Sequence, residues 1–293
     1  MRLQAVLICT LAACLLFLPD AARAGSNEGP AGFSRQADDL LARADFDGAL
    51  NAYREAAKAD PENQEYRQQY ALVRRIAKMR ESIDKEQNPQ KWETTARALR
   101  SFYYNHGLFG EALPVDRQFH TKLNTAESAT MLAETELKLD MNAEAADLLG
   151  GLDEQKQSPH TQALLGLALA RQGKLDEARA IAEKCVLPDA AGPDLFFNVA
   201  RMRALLGDAS QALSLLVRTL EQTPPSRLEA RVAEAKTCPD FANLVAAADF
   251  GKALKTPSKV KESGCSGGSS CGKCPSKSKC SAAKGESSTK VDH

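Results

Sequence analysis

The chain has 293 residues, 38 basic against 38 acidic side chains, and only 5% aromatic residues. The neutral total hides an asymmetry: nine Lys against three acidic residues from Lys252 to His293 give +6, Arg2 and Arg23 against Asp20 give +1, and the body between carries −7. An acidic body with a basic tail excludes the basic stripe of a nucleic-acid-binding fold, and the chain has no glycine-rich phosphate loop, Gly-x-Ser-x-Gly or His-Glu-x-x-His pattern to suggest an enzyme.

Residues 1–24 have the layout of a cleavable signal peptide: Arg2, an apolar run over residues 3–18, and Ala22-Arg23-Ala24 before Gly25. The run is short for a spanning helix, which needs about 20 residues. No second long apolar run follows. The mature chain is therefore expected to be exported, periplasmic or secreted, without a transmembrane segment. Leu11-Ala12-Ala13-Cys14 offers lipoprotein anchoring at Cys14 as the alternative, although the apolar stretch continues through Leu18 beyond that cysteine.

The central part is periodic. Ala112, Ala145, Ala178 and Ala212 lie 33, 33 and 34 residues apart, and a further copy at Ala49 lies 63 residues before Ala112. The local patterns read Gly-Leu-Phe-Gly-Glu-Ala-Leu (107–113), Gly-Lys-Leu-Asp-Glu-Ala-Arg (173–179) and Gly-Asp-Ala-Ser-Gln-Ala-Leu (207–213). Apolar positions in 162–172 follow helical spacing, Gly173 marks a helix end, and Asp176 and Glu177 open the next helix at its positive dipole end. A fixed period of this length means stacked helix pairs. The small residue after each turn lets the two helices approach closely.

Phe46-Asp47-Gly48-Ala49-Leu50, followed by Tyr53, Ala56 and Asp60-Pro61-Glu62-Asn63, resembles the tetratricopeptide repeat (TPR) family, and so does Leu165-Gly166 with Gly173, Ala178 and Cys185. The resemblance covers roughly residues 30–225. It implies an all-α, right-handed α-solenoid of about five helix pairs, over residues 30–63, 93–125, 126–158, 159–192 and 193–225, within a body of 25–254. Between the first two units, 64–87 reads as one charged helical stretch without a glycine turn: a degenerate unit with fused helices, or one extended helix. Asp140 replaces glycine in the third turn. Pro114 falls early in a helix, where only a first-turn proline is tolerated. A cap is expected over 226–254, with one helix near 227–236 and a closing segment at 238–244.

The resemblance also implies that the first helix of each unit lines an inner face. Its phase puts Arg97, Ser101 and Tyr104 there in one unit, then Glu127, Thr130 and Glu134, then His160, Leu167 and Arg171, then Asp194, Phe197 and Arg201. Arg97, Arg171 and Arg201 are suited to bidentate pairing with a peptide's carboxylates. The lysine and asparagine clamp by which some members grip an acidic chaperone terminus is absent, since Ser34 and Asp38 stand at the matching positions. Asp38, Asp39 and Glu234 read as ordinary helix-surface acids. His106, His120, His160 and His293 are scattered, and Trp92 with 102–104 reads as core and groove wall.

Residues 255–293 are mostly Ser, Lys and Gly and read as disordered. They contain Cys265-x5-Cys271-x2-Cys274-x5-Cys280. Disulfides, a Zn or Cu(I) site, and thiol exchange all remain open for these four cysteines. Cys185 and Cys238 read as structural, with no bridge between them. The function expected is that of a non-enzymatic adaptor without a cofactor, binding a protein or peptide in its groove. The alternatives are metal handling by the tail, or a thiol–disulfide exchange accessory.

Overall fold

Five of the described helices end in one repeated way. Ala44, Gly107, Asp140, Gly173 and Gly207 have φ of +60, +68, +58, +76 and +84°. Each stands five positions before a periodic alanine, as in the pairs 44/49, 107/112, 140/145, 173/178 and 207/212. The next residue's N–H then reaches the carbonyl five positions back: Asp45 to Leu40, Leu108 to Tyr103, Met141 to Glu136, Lys174 to Leu169 and Asp208 to Arg203, at 2.8–3.0 Å. This is the longer bond of a Schellman turn, which satisfies a terminal carbonyl. Asp140 adopts the left-handed conformation that short polar side chains tolerate, so the missing glycine leaves the turn intact. Ala44 has no such excuse. Ala44→Gly is expected to stabilise the protein by about 0.5–1 kcal/mol, read as an upward shift of the urea midpoint.

The computed structural model describes residues 29–188 and 190–261. The expected signal peptide and Cys265, Cys271, Cys274 and Cys280 lie outside the described residues. Among the described residues there are thirteen α-helices and two 3-10 turns and no strand. The fold is all-α, built from helices paired through tight turns.

The chain divides into two compact units at Leu108/Phe109. The first holds α1 (Pro30–Ala42), α2 (Phe46–Ala59), α3 (Gln64–Ile83) and α4 (Pro89–Asn105). α1 and α2 form the first pair, α3 packs on α2, and α4 packs on α3. α3 is one uninterrupted helix of 20 residues, which resolves the ambiguous 64–87 stretch in favour of an extended helix. Phe102 and Tyr103 of α4 meet Phe46 with ring centroids 6.3 and 6.1 Å apart, and the Arg80 guanidinium lies 3.9 Å above the Phe46 ring. Both rings of α4 are buried in the core of the first unit. Asp38, expected as a surface acid, accepts a hydrogen bond from the Tyr53 hydroxyl.

The second unit holds α5 (Phe109–Leu123), α6 (Ala126–Lys138), α7 (Asn142–Gly150), α8 (Pro159–Arg171), α9 (Leu175–Lys184), α10 (Pro193–Leu205), α11 (Ala209–Gln222), α12 (Pro225–Thr237) and α13 (Ala248–Ala253). Neighbouring helices pack from α5 to α9, α10 lies on α8, and α11 pairs with α10. Ala112, Ala145, Ala178 and Ala212 are each 0% exposed, as a close helix crossing requires. Gly166 serves the same end: a Cβ there would stand 2.2 Å from Met202 Sδ on α10. α5 runs on through Pro114, past the first turn where proline is easily tolerated. Buried Ala112, Val115, Asp116 and Phe119 hold the helix on both sides of the lost hydrogen bond.

Candidate functional site

The first helices of three successive pairs, α6, α8 and α10, lie side by side because α8 packs against both of the others. α8 and α10 are buried over most of their length, which fixes the few side chains that remain on their shared face. His160 Nε2 stands 2.7 Å from Glu134 Oε1, and the Thr130 and Thr161 hydroxyls are 3.1 Å apart. The expected inner positions Glu134 and His160 are thus brought together. Leu167 is fully buried, so it belongs to the core rather than to the face. Phe197 is also buried, beneath the Arg201 guanidinium at 5.7 Å.

Of the expected positions in the first unit, Arg97 pairs with Glu93 one turn away at 2.8 Å, and Ser101 is exposed. Tyr104 carries the Arg100 guanidinium 4.1 Å above its ring.

Arg171 and Arg201 converge on one carboxylate. Arg171 Nε donates to Asp240 Oδ1 at 2.9 Å and its Nη2 to Oδ2 at 3.0 Å, while Arg201 Nε donates to Oδ2 at 2.7 Å. The spare donors are used as well: Arg171 Nη1 reaches the Leu137 carbonyl at 2.8 Å, and Arg201 Nη1 reaches Asn198 Oδ1 at 3.1 Å. The side chains of Arg171, Arg201 and Asp240 are only 11, 7 and 4% exposed. Burial by itself would raise the Asp240 pKa. The hydrogen bond from Arg171 and the charge of Arg201 outweigh it and hold the carboxyl below the ordinary range. The bidentate pairing expected for these arginines is present, but the carboxylate belongs to the chain's own closing segment.

That segment is arranged differently from a simple cap. α13 covers α11, with Phe250 and Ala253 buried. The Phe241 ring in the 3-10 turn Pro239–Phe241 lies 5.8 Å from Phe197 and 5.9 Å from Phe250. α12 instead reaches side chains of α6 and α10. Lys138 Nζ donates to Glu234 Oε1 at 2.8 Å, and Arg231 pairs with both Asp194 and Glu234. The Arg231 guanidinium lies 4.7 Å from the Phe197 ring centre. Glu234 is therefore not an ordinary surface acid. Burial raises its pKa, but Lys138 and Arg231 together bring it below the usual carboxylate value.

Cys185 Sγ faces the Pro159 carbonyl at 3.5 Å and Cys238 Sγ faces Asp240 Oδ2 at 3.6 Å. Both thiols are free, and burial pushes both pKa values up, so neither is an activated thiolate. Among the described residues no three His, Cys, Asp or Glu side chains gather where they could hold a metal. No described helix is long and apolar enough to cross a membrane. Sequence reasoning missed Asp240, Asn198, Arg231 and a buried acid, Glu136 on α6. The Pro239-Asp240-Phe241 turn, inside a segment already singled out as closing the array, was the available signal for the first of these.

No protein-family model matches this chain, and no curated protein matches it. Several solved structures resemble it in part. A thermophilic TPR protein from Thermus thermophilus shares 18% identity over 70% of this chain and 98% of its own, with a TM-score of 0.38. A tetratricopeptide repeat protein from Parabacteroides merdae shares 16% over 78% and 93%, with a TM-score of 0.39. The MamA protein shares 20% over 67% and 93%, with a TM-score of 0.33.

Proposed function

We propose that this chain is a non-enzymatic scaffold that takes a peptide segment of a partner protein on the face of α6, α8 and α10. The reading is supported by the Arg171–Asp240–Arg201 fork with Phe241 against Phe197. Side chains of this face already hold one acidic and aromatic segment, through charge-assisted bonds and ring contacts. His160, beside Glu134 on the same face, marks where the partner would be met. The signal-like leader supports action in the periplasm or outside the cell.

A photo-cross-linking residue at His160 tests this in cells. A discrete adduct is expected at His160 and none at Val186, which is 74% exposed and stands in the connection after α9. No adduct at His160, or the same adducts at both positions, removes the assignment.

A second reading rests on the spacing Cys265-x5-Cys271-x2-Cys274-x5-Cys280, which supplies four thiolates for Zn or Cu(I). Stoichiometric metal in protein purified under reducing conditions, lost on deleting residues 260–293, would favour it. Metal-free protein would leave disulfides or thiol exchange for the tail.

A further inference from the structure

α12 has a narrow apolar footing on the face. Of its thirteen residues only Ala235 is buried, whereas α8, of the same length, buries nine. What keeps α12 in place is charge. Glu234 takes Lys138, and Arg231 is shared among Asp194, Glu234 and the Phe197 ring. The Lys138, Glu234 and Asp194 side chains are 33, 35 and 63% exposed and Arg231 is 18%, so water and salt reach the outer side of these contacts and weaken them.

The two ends of α12 are fixed independently of that contact. On one side only Thr223 and Pro224 separate it from the packed helix α11. On the other, Asp240 sits in the arginine fork two residues beyond Cys238. A helix tied at both ends and lightly attached between them opens locally while the rest of the unit stays folded.

We propose that α12 is a displaceable self-ligand. It occupies the face until a partner's helix replaces it, presenting a basic residue to Asp194 and Phe197 and, one turn later, an acidic residue to Lys138. The proposal rests on the scaffold reading above and gives the partner its chemistry: an Arg-x-x-Glu pair on one helical face, as in Arg231 and Glu234. Tethering gives α12 an effective concentration on the order of millimolar, so it sets a threshold that a chance charged helix does not cross.

The test uses the full chain and a fluorescein-labelled peptide of residues 225–237 as the probe. In the wild-type chain the tethered copy outcompetes it. Arg231→Ala/Glu234→Ala in the chain loosens the tethered copy, and the probe then binds at least about tenfold more tightly. Adding Lys138→Glu to that chain abolishes binding, and a probe carrying Glu234→Lys restores it, which a folding defect would not allow. Amide exchange in wild-type α12 is expected to speed up between about 0.05 and about 0.5 M NaCl while that of α8 does not. Equal probe affinity for the wild-type and loosened chains overturns the proposal, as does salt-independent protection of α12 equal to that of α8. A face that takes the probe but yields no cross-link in cells sinks the scaffold reading instead, so the two fail separately.

Discussion

Asp240→Ala is expected to destabilise the second unit by about 3–5 kcal/mol, because it strands two nearly buried guanidinium groups. In a unit of this size that corresponds to a melting shift of roughly 10 °C or more. Arg201→Ala is expected to cost less, since Arg171 still covers both oxygens of the carboxylate. Arg171→Ala additionally frees the Leu137 carbonyl. Replacing all three, as Arg171→Met/Arg201→Met/Asp240→Leu, is expected to recover most of the loss, because no buried charge then lacks a partner. A loss below about 1 kcal/mol for Asp240→Ala would show that the fork is not what seats the closing segment. The pH dependence has a definite sign. The folded pKa of Asp240 lies below its unfolded value, so its contribution is present above the unfolded pKa and is lost as pH falls through the folded one. The wild-type protein should therefore lose stability below about pH 4, and the triple apolar variant should lose less there. For the same reason Arg171→Glu or Arg201→Glu measures stability before it measures partner binding.

The periodic part of this protein was legible because each repeat states its own geometry. The alanines at 49, 112, 145, 178 and 212 are all 0% exposed, and the left-handed residue stands at the same offset before each. Gly173 and Gly207 announce that conformation, but Ala44 and Asp140 do not, and only the Schellman bonds reveal them. The inner-face phase named Glu134, His160 and both arginines, but also Leu167 and Phe197, which are buried. It could not find what the arginines hold. Asp240 is 69 and 39 positions from its partners, and a lone aspartate in a turn carries no mark of burial. The contact of α4 with α2 was hidden for a related reason. Phe102 and Tyr103 reach Phe46, far back in the chain, and a repeat period alone does not name such a contact.

Glu136 tests the opposite electrostatic case. Its side chain is 5% exposed on α6, and its Oε2 is enclosed without a hydrogen-bond partner among the described residues. Burial dominates and raises its pKa to about 7; Arg117 offsets this in part, and Glu144 adds to it. Between the unfolded value near 4.5 and the folded value of about 7 the native state binds the extra proton. The stability Glu136 contributes as a neutral acid is thus complete below about pH 4.5 and is lost as pH rises to about 7, a change on the order of 2–3 kcal/mol. Glu136→Gln is expected to stabilise the unit by about 2 kcal/mol at pH 8 and to change little near pH 4.5. Glu136→Met, which has no polar atom to satisfy, should do at least as well at pH 8. Urea midpoints across this range check both: a gain that does not vary with pH would show that packing, not ionisation, limits the site. Asp240 and Glu136 pull in opposite directions, one losing its contribution below about pH 4 and the other above about pH 4.5. Together they place the greatest stability of the second unit between about pH 4 and about pH 4.5, and Glu136→Gln should extend that maximum into a plateau reaching pH 8.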